Sequence, residues 1–427
     1  YCTFQRVGMA QRSTRSQVPP ILQCNMTDQQ KAHTHPALVI LALAMGAFAI
    51  GTTEFAAMSL VPYFARDLGL TEPEAGHAIS TYALGVVVGA PVIAVLAAKL
   101  ARRALLIGLM ALFAVGNALS AMAPTYPLLL LFRFISGLPH GAYFGIAALV
   151  AASMVPANKR AQSVALVMSG LTVATIIGVP LANWLGQAFG WRTGFAIVSV
   201  LAVITMALVA LYAPHQKAAE GASPMRELGA LRRPQVLLTL LTGAIGFGGL
   251  FAVYTYIAST MIEVTKVSEH LVPVVLAVFG VGMTVGNLFW AWAADRSLNK
   301  AAIGALLFSA FALALFPMAA SNVWTLSVVV VMIGFAGGLG TILQTRLMDV
   351  AGDAQALAAA AHHSAFNMAN ALGPWLGGLA ISAGYGLTST GWIGMCLSLG
   401  GLAIFLVTLA LHKREGEMGG QPVPACG

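Results

Sequence analysis

The chain has 427 residues, 59% of them hydrophobic and only 8% charged, against roughly 25% charged in ordinary soluble domains. That composition excludes a soluble globular protein and points to repeated membrane spans. The formal charge of +8 comes from 22 basic and 14 acidic residues. The basic residues sit in short clusters between apolar runs, so they read as an orientation signal and not as a nucleic-acid surface.

Residues 1–36 are polar and irregular and read as a disordered N-terminal segment; they lack the compact apolar stretch of a signal peptide. Apolar runs long enough to cross ~30 Å as helices follow at 38–61, 75–98, 104–123, 127–153, 163–186 and 193–213. A polar connector, 214–234, separates them from six more at 235–260, 271–294, 301–320, 323–345, 356–383 and 389–411, with a tail at 412–427. The expectation is an all-α membrane protein with twelve transmembrane helices in two six-helix bundles, 37–213 and 235–411. Beyond residue 36, fourteen loop cations fall on one face, from Lys99, Arg102 and Arg103 to Lys413 and Arg414. Only Arg66, Arg192 and Lys266 fall on the other, which puts both termini and the connector on the cytoplasmic side.

The two bundles are equal in length and repeat one another. An offset of 197 superimposes Gly85-Val86-Val87-Val88-Gly89 on Gly282-Met283-Thr284-Val285-Gly286, and Gly51 on Gly248. Glycines four apart let helices approach closely where no hydrophobic force separates protein from lipid. Two repeated bundles on an axis along the membrane normal are a plan for transport. The four cysteines, Cys2, Cys24, Cys396 and Cys426, form neither a disulfide framework nor a metal motif.

Several segments carry a resemblance. Ala94-Val95-Leu96-Ala97-Ala98-Lys99-Leu100-Ala101-Arg102-Arg103 is similar to the loop between spans 2 and 3 of the major facilitator superfamily, with Ala98 where an aspartate is usual. Its counterpart, Ala291-Trp292-Ala293-Ala294-Asp295-Arg296, keeps the acid. Arg133-Phe134-Ile135-Ser136-Gly137 in span 4 resembles the family's R-x-x-x-G motif, and Gly178-Val179-Pro180 in span 5 resembles its exporter motif. The likeness covers 37–411 and is greatest to drug:proton antiporters of the arabinose-efflux-permease type. It implies a conformational gate at Arg102, Arg103, Asp295 and Arg296, and a proton-coupling role for Arg133.

Glu54 is the one carboxylate deep in an apolar run. A charge there costs at least ~2.5–3.5 kcal/mol, so such a residue faces a cavity, has a partner or takes up a proton. Counting ~1.5 Å per residue from the span ends puts Glu54 and Arg133 at similar depth, and a meeting of the two is expected. The repeat sends Glu54 to Phe251 and Arg133 to Val330, which confines proton chemistry to the first bundle. His140, Phe251, Tyr254, Gln344 and Asn367 are the expected substrate contacts. Aromatic rings with a few neutral polar groups suit an uncharged or cationic small molecule.

The reading is a secondary transporter that exports a small organic solute, drug-like or sugar-like, by proton antiport, and no enzyme. No cofactor is expected beyond the proton as coupling ion. The expected setting is the bacterial cytoplasmic (inner) membrane, with the lipid bilayer and a small-molecule substrate as partners and a monomeric chain. An importer of a sugar or nucleoside stays open, as does a membrane sensor without transport.

Overall fold

A computed structural model describes residues 35–96, 100–156, 159–215, 233–351 and 355–418. Lys99 and Ala98, most of the N-terminal segment and of the 214–234 connector, and the end of the tail lie outside the described residues.

The described residues form twelve long helical units. The first bundle holds α1 (Pro36–Ser59), α2 (Glu72–Leu96), α3 (Arg102–Ala121), α4 (Tyr126–Ser153), α5 (Gln162–Phe189) and α6 (Arg192–Tyr212). The second holds α7 (Pro234–Glu263), α8 (Glu269–Arg296), α9 (Leu298–Ala319), α10 (Val323–Ala351), α11 (Gln355–Ala380) and α12 (Ser389–Met418). Eleven of them are long and apolar enough to cross a membrane; the twelfth, α11, carries His362, His363, Asn367 and Asn370 and is less apolar. A short helix, Val61–Leu68, follows α1, because Pro62 cannot continue the hydrogen-bond ladder through Leu60.

Within each bundle the same helices pair: α1 with α5 and α6, α2 with α4, and α3 with α6, matched by α7 with α11 and α12, α8 with α10, and α9 with α12. Glycines set the closest of these approaches. A Cβ on Gly85 would stand 2.2 Å from the Phe134 carbonyl, and one on Gly137 would stand 2.1 Å from that of Tyr82. At the positions 197 further on, Gly282 and Gly334 face the carbonyls of Val331 and Phe279 at 2.4 and 2.5 Å. The repeat seen in the sequence is therefore a repeat of backbone contact.

Several units are broken where the sequence removes a ladder donor or lowers helix propensity. In α4 the break lies at Leu138-Pro139, and in α10 at Gly337-Gly338. In α5 a π turn, Ala174–Gly178, precedes Pro180. The bundles meet chiefly through α2 against α11 and α5 against α8.

The boundary has two unlike ends. At the end away from the start of α1, three side-chain interactions tie the bundles together. Ser259 on α7 donates to Glu72 on α2 at 2.6 Å, Arg66 pairs with Glu269 at 3.5 Å, and Gln187 donates to the Glu269 carbonyl at 2.9 Å. At the end where α1 begins, the Phe144 ring stacks on His363 across the boundary, with ring centres 5.1 Å apart.

Candidate functional site

The middle of α1 is buried on all sides, every residue from Ala49 to Ser59, because it is wedged between its own bundle and the other. Successive helical residues point ~100° apart, so three consecutive side chains reach three different neighbours. Thr53 faces α3 and α4, Glu54 faces α11, and Phe55 faces α7 and α8.

Glu54 is 3% exposed. Its Oε1 accepts from Asn370 Nδ2 at 3.0 Å, a bond that joins the two bundles. It enters no ion pair among the described residues. The expected meeting with Arg133 is replaced by an arrangement one residue out of register. Arg133 Nη1 donates to the Thr53 hydroxyl at 3.3 Å, and Thr53 donates onward to Asn117 Oδ1 at 2.8 Å.

The rest of the Arg133 guanidinium is held by rings. It lies 4.2 Å from the centre of Tyr82 and 5.1 Å from that of Phe195, while Nε and Nη2 have no hydrogen-bond partner. Cation–π contact of a desolvated guanidinium is worth ~2 kcal/mol or more, and it partly offsets the loss of water at those two nitrogens. His140 lies beyond the same tyrosine, with its Nδ1 2.9 Å from the Tyr82 hydroxyl. Arg133, Tyr82 and His140 thus form one buried line behind Glu54.

The second bundle presents rings and neutral groups. Phe55 touches Phe251 at 6.1 Å, Tyr254 at 5.4 Å and Phe279 at 6.4 Å. Phe251 continues to Phe366 at 5.0 Å, and Phe366 to Phe247 at 4.5 Å. The Tyr254 hydroxyl and the Oδ1 atoms of Asn367 and Asn370 are buried without a partner. An apolar crevice between Val253, Tyr254, Ile257, Phe279, Val330 and Ile333 runs beside this cluster. Of the expected substrate contacts, Phe251, Tyr254 and Asn367 lie in or beside the ring cluster, and His140 lies in the first bundle beyond Tyr82. Gln344 is half-buried on α10 and makes no hydrogen bond among the described residues.

Of the residues expected to gate the boundary, Arg103 and Arg296 are engaged close to their own helix ends. Arg103 donates to the Ala210 carbonyl in its own bundle and reaches His215 just past the end of α6. Arg102 is half-buried at the first residue of α3. Arg296 stacks on Trp292 at 3.6 Å and donates to that residue's carbonyl at 3.2 Å, while Asp295 is exposed and makes no ion pair among the described residues. A loop arginine beside its own helix end finds carbonyls and rings nearer than the other bundle. Among the residues whose bonds cross the boundary, Glu54 was an expected site residue, whereas Asn370, Glu72, Ser259, Glu269 and Ser80, which donates to the Ala371 carbonyl at 2.8 Å, were not. The one sequence signal for Asn370 was its place, with Asn367, as an amide in an otherwise apolar run.

Twelve helices in two repeated bundles, meeting around a buried carboxylate, define a multi-pass membrane transport protein. The comparisons agree. The Major Facilitator Superfamily model matches residues 43–268 and 254–424, and the chain belongs to that family. It is 43% identical over 378 residues to the inner membrane transport protein YdhP of Escherichia coli (strain K12), covering 88% of this chain and 96% of that one. It is 34% identical over 343 residues to a chloramphenicol resistance protein of Streptomyces lividans, covering 79% and 87%. Among solved structures, a mutant of the nucleoside transporter NupG superimposes with a TM-score of 0.68 at 13% identity, over 87% of this chain and 99% of that one. That likeness concerns the fold.

Proposed function

We propose that the protein exports a small, ring-bearing organic solute in exchange for protons, by alternating access across the bacterial inner membrane. Glu54 is the proton site. The observation that carries this reading is the bond from Asn370 to Glu54, which puts the buried carboxylate of the first bundle on the boundary that must open and close. A carboxylate at such depth is kept where it can take up a proton, and parting of the bundles opens it to water for exchange. Arg133 does not neutralise it by direct contact and instead holds α1 and α4 together through Thr53.

The substrate side of the reading rests on the rings of Phe55, Phe251, Tyr254 and Phe366, which offer stacking surface where the boundary opens. Efflux-type relatives support export, and chloramphenicol is the first solute to test because one relative bears its name. The bonds of Glu72, Ser259, Arg66 and Glu269 close one end, and we take that end to be the periplasmic one, with both termini cytoplasmic and the chain working as a monomer. The test is proton-driven uptake into everted vesicles, where Glu54→Gln abolishes accumulation at unchanged protein level; accumulation equal to wild type would refute the assignment.

A further inference from the structure

We infer that Asn370 is more than a structural tie: it is the group that distinguishes protonated from ionised Glu54, by forming a two-bond acid–amide pair with the protonated form only. The inference rests on the proposed proton site and adds its reader.

The geometry makes half of such a pair. Asn370 Nδ2 donates to Glu54 Oε1 at 3.0 Å, and Asn370 Oδ1 is buried with no partner. A primary amide and a carboxyl group match edge to edge, one offering N–H and C=O, the other C=O and O–H. With Glu54 ionised, only the N–H···O bond can form, because its second carboxylate oxygen and Asn370 Oδ1 are both acceptors. A proton taken up from the water side onto that oxygen gives an O–H that can donate to Asn370 Oδ1. The bond formed is Glu54 O–H to Asn370 Oδ1; no bond is broken, and the N–H···O bond stays. The orphan oxygen, which otherwise bears a desolvation penalty, is then satisfied.

The other described groups around Glu54 are already engaged. The charged and titratable residues that face the site are Arg133 on α4 and Tyr82 on α2. Arg133 is held by Thr53 and the rings of Tyr82 and Phe195, and the Tyr82 hydroxyl is engaged with His140. Thr52, the neighbour on α1, donates to its own helix at Phe48. Because Glu54 lies in the first bundle and Asn370 in the second, the second bond forms across the boundary. Proton loading therefore tightens the contact between α1 and α11, and proton release loosens it. The contact itself reports the protonation state to the conformational change.

The test is infrared difference spectroscopy on the full-length protein reconstituted in lipid, with pH stepped across the titration of Glu54. Wild type should show a protonated-carboxyl C=O band, absent in Glu54→Gln, that rises together with a shift of the Asn370 amide band. Asparagine labelled with 13C at the side-chain carbonyl identifies that amide band in unmutated protein, so the test does not depend on any variant folding. Asn370→Leu should move the carboxyl band to higher wavenumber, as for an acid without a partner, and Asn370→Gln should restore part of the shift. Proton-driven exchange of chloramphenicol should fall about tenfold in Asn370→Leu, the equivalent of one lost hydrogen bond. A carboxyl band that is unmoved in Asn370→Leu, or an amide band that does not titrate with it in wild type, overturns the inference. Loss of coupling in Glu54→Gln alongside either result leaves the proton site standing and removes only its reader.

Discussion

The two bundles share a backbone and differ in chemistry. Residues 85, 137 and 82 of the first and 282, 334 and 279 of the second make the same close approaches, with glycine against a carbonyl in each. At the same offset, Glu54 faces Asn370 while its counterpart Phe251 packs tilted against Phe55 and edge-on against Phe366. Arg133 lies over Tyr82, while their counterparts Val330 and Phe279 line an apolar crevice. The repeat thus fixes where helices touch, through residues that have no side chain to vary. The positions between those glycines are free to carry charge in one bundle and rings in the other. One charged and one neutral wall give a boundary that can hold a proton on one side and a ring-bearing solute on the other.

The strongest test of this division is at the glycines. A methyl at position 137 meets the Tyr82 carbonyl and one at 334 meets the Phe279 carbonyl, both well inside contact distance. Gly137→Ala and Gly334→Ala should each cost ~1–3 kcal/mol, the usual range for overpacking. Their melting temperatures in detergent should fall by similar amounts; a large loss in one bundle alone would break the equivalence.

The next largest effect belongs to the line behind Glu54. Tyr82→Leu removes the ring under Arg133 and the bond to His140, and should destabilise by ~2 kcal/mol or more. Tyr82→Phe keeps the ring, loses only the hydroxyl bond, and should cost ~1 kcal/mol. Equal losses in thermal unfolding would show that the ring contact contributes nothing. The matching change in the other bundle, Phe279→Leu, has no cation to unseat and should act through packing alone.

At the tied end, Ser259→Ala removes the bond to Glu72. It should shift the equilibrium toward the state open at that end by a few fold, at ~1 kcal/mol per bond. Spin-label distances across the short helix Val61–Leu68 and α7 would report the change, and an unaltered distribution would show that this bond does not hold the end closed.

The smallest effect is at Asp67, on the short helix outside the spans. The hydrogen bonds from Trp191 and Arg192 lower its carboxyl below the usual range. A lowered acid stabilises the fold above the unfolded value of ~3.9, and that stability is lost as pH falls through the lower folded value. The half-exposed Arg192 pair is screened by water, so the effect is small. The difference in melting temperature between wild type and Asp67→Asn should be constant near neutrality and shrink below pH ~4; a difference that grew with acid would reverse the sign.

The sequence made the helices legible because each is a long apolar run, and all twelve expected spans begin within three residues of the observed helices. Glu54 was legible for the same reason, as a charge where none is cheap. Its partner was not. Asn370 lies 316 residues away, and an amide in an apolar helix says nothing about which neighbour it meets. The expected Glu54–Arg133 contact failed by one residue, since depth along a helix can be counted but the face turned to a neighbour depends on packing; Thr53 takes the arginine instead. Glu72, Glu269 and Ser259 read as ordinary span ends until the bundles are assembled. Arg103 and Arg296, drawn from a loop motif, turned to their own helix ends.

The central claim is that Glu54 carries the exchanged proton while the solute is held elsewhere on the boundary. The most direct test compares two fluxes of chloramphenicol in proteoliposomes carrying Glu54→Gln. Counterflow, which needs only the carrier and solute, should continue near the wild-type rate, and accumulation driven by a pH gradient should vanish. Gradient-driven accumulation that persists would contradict the account.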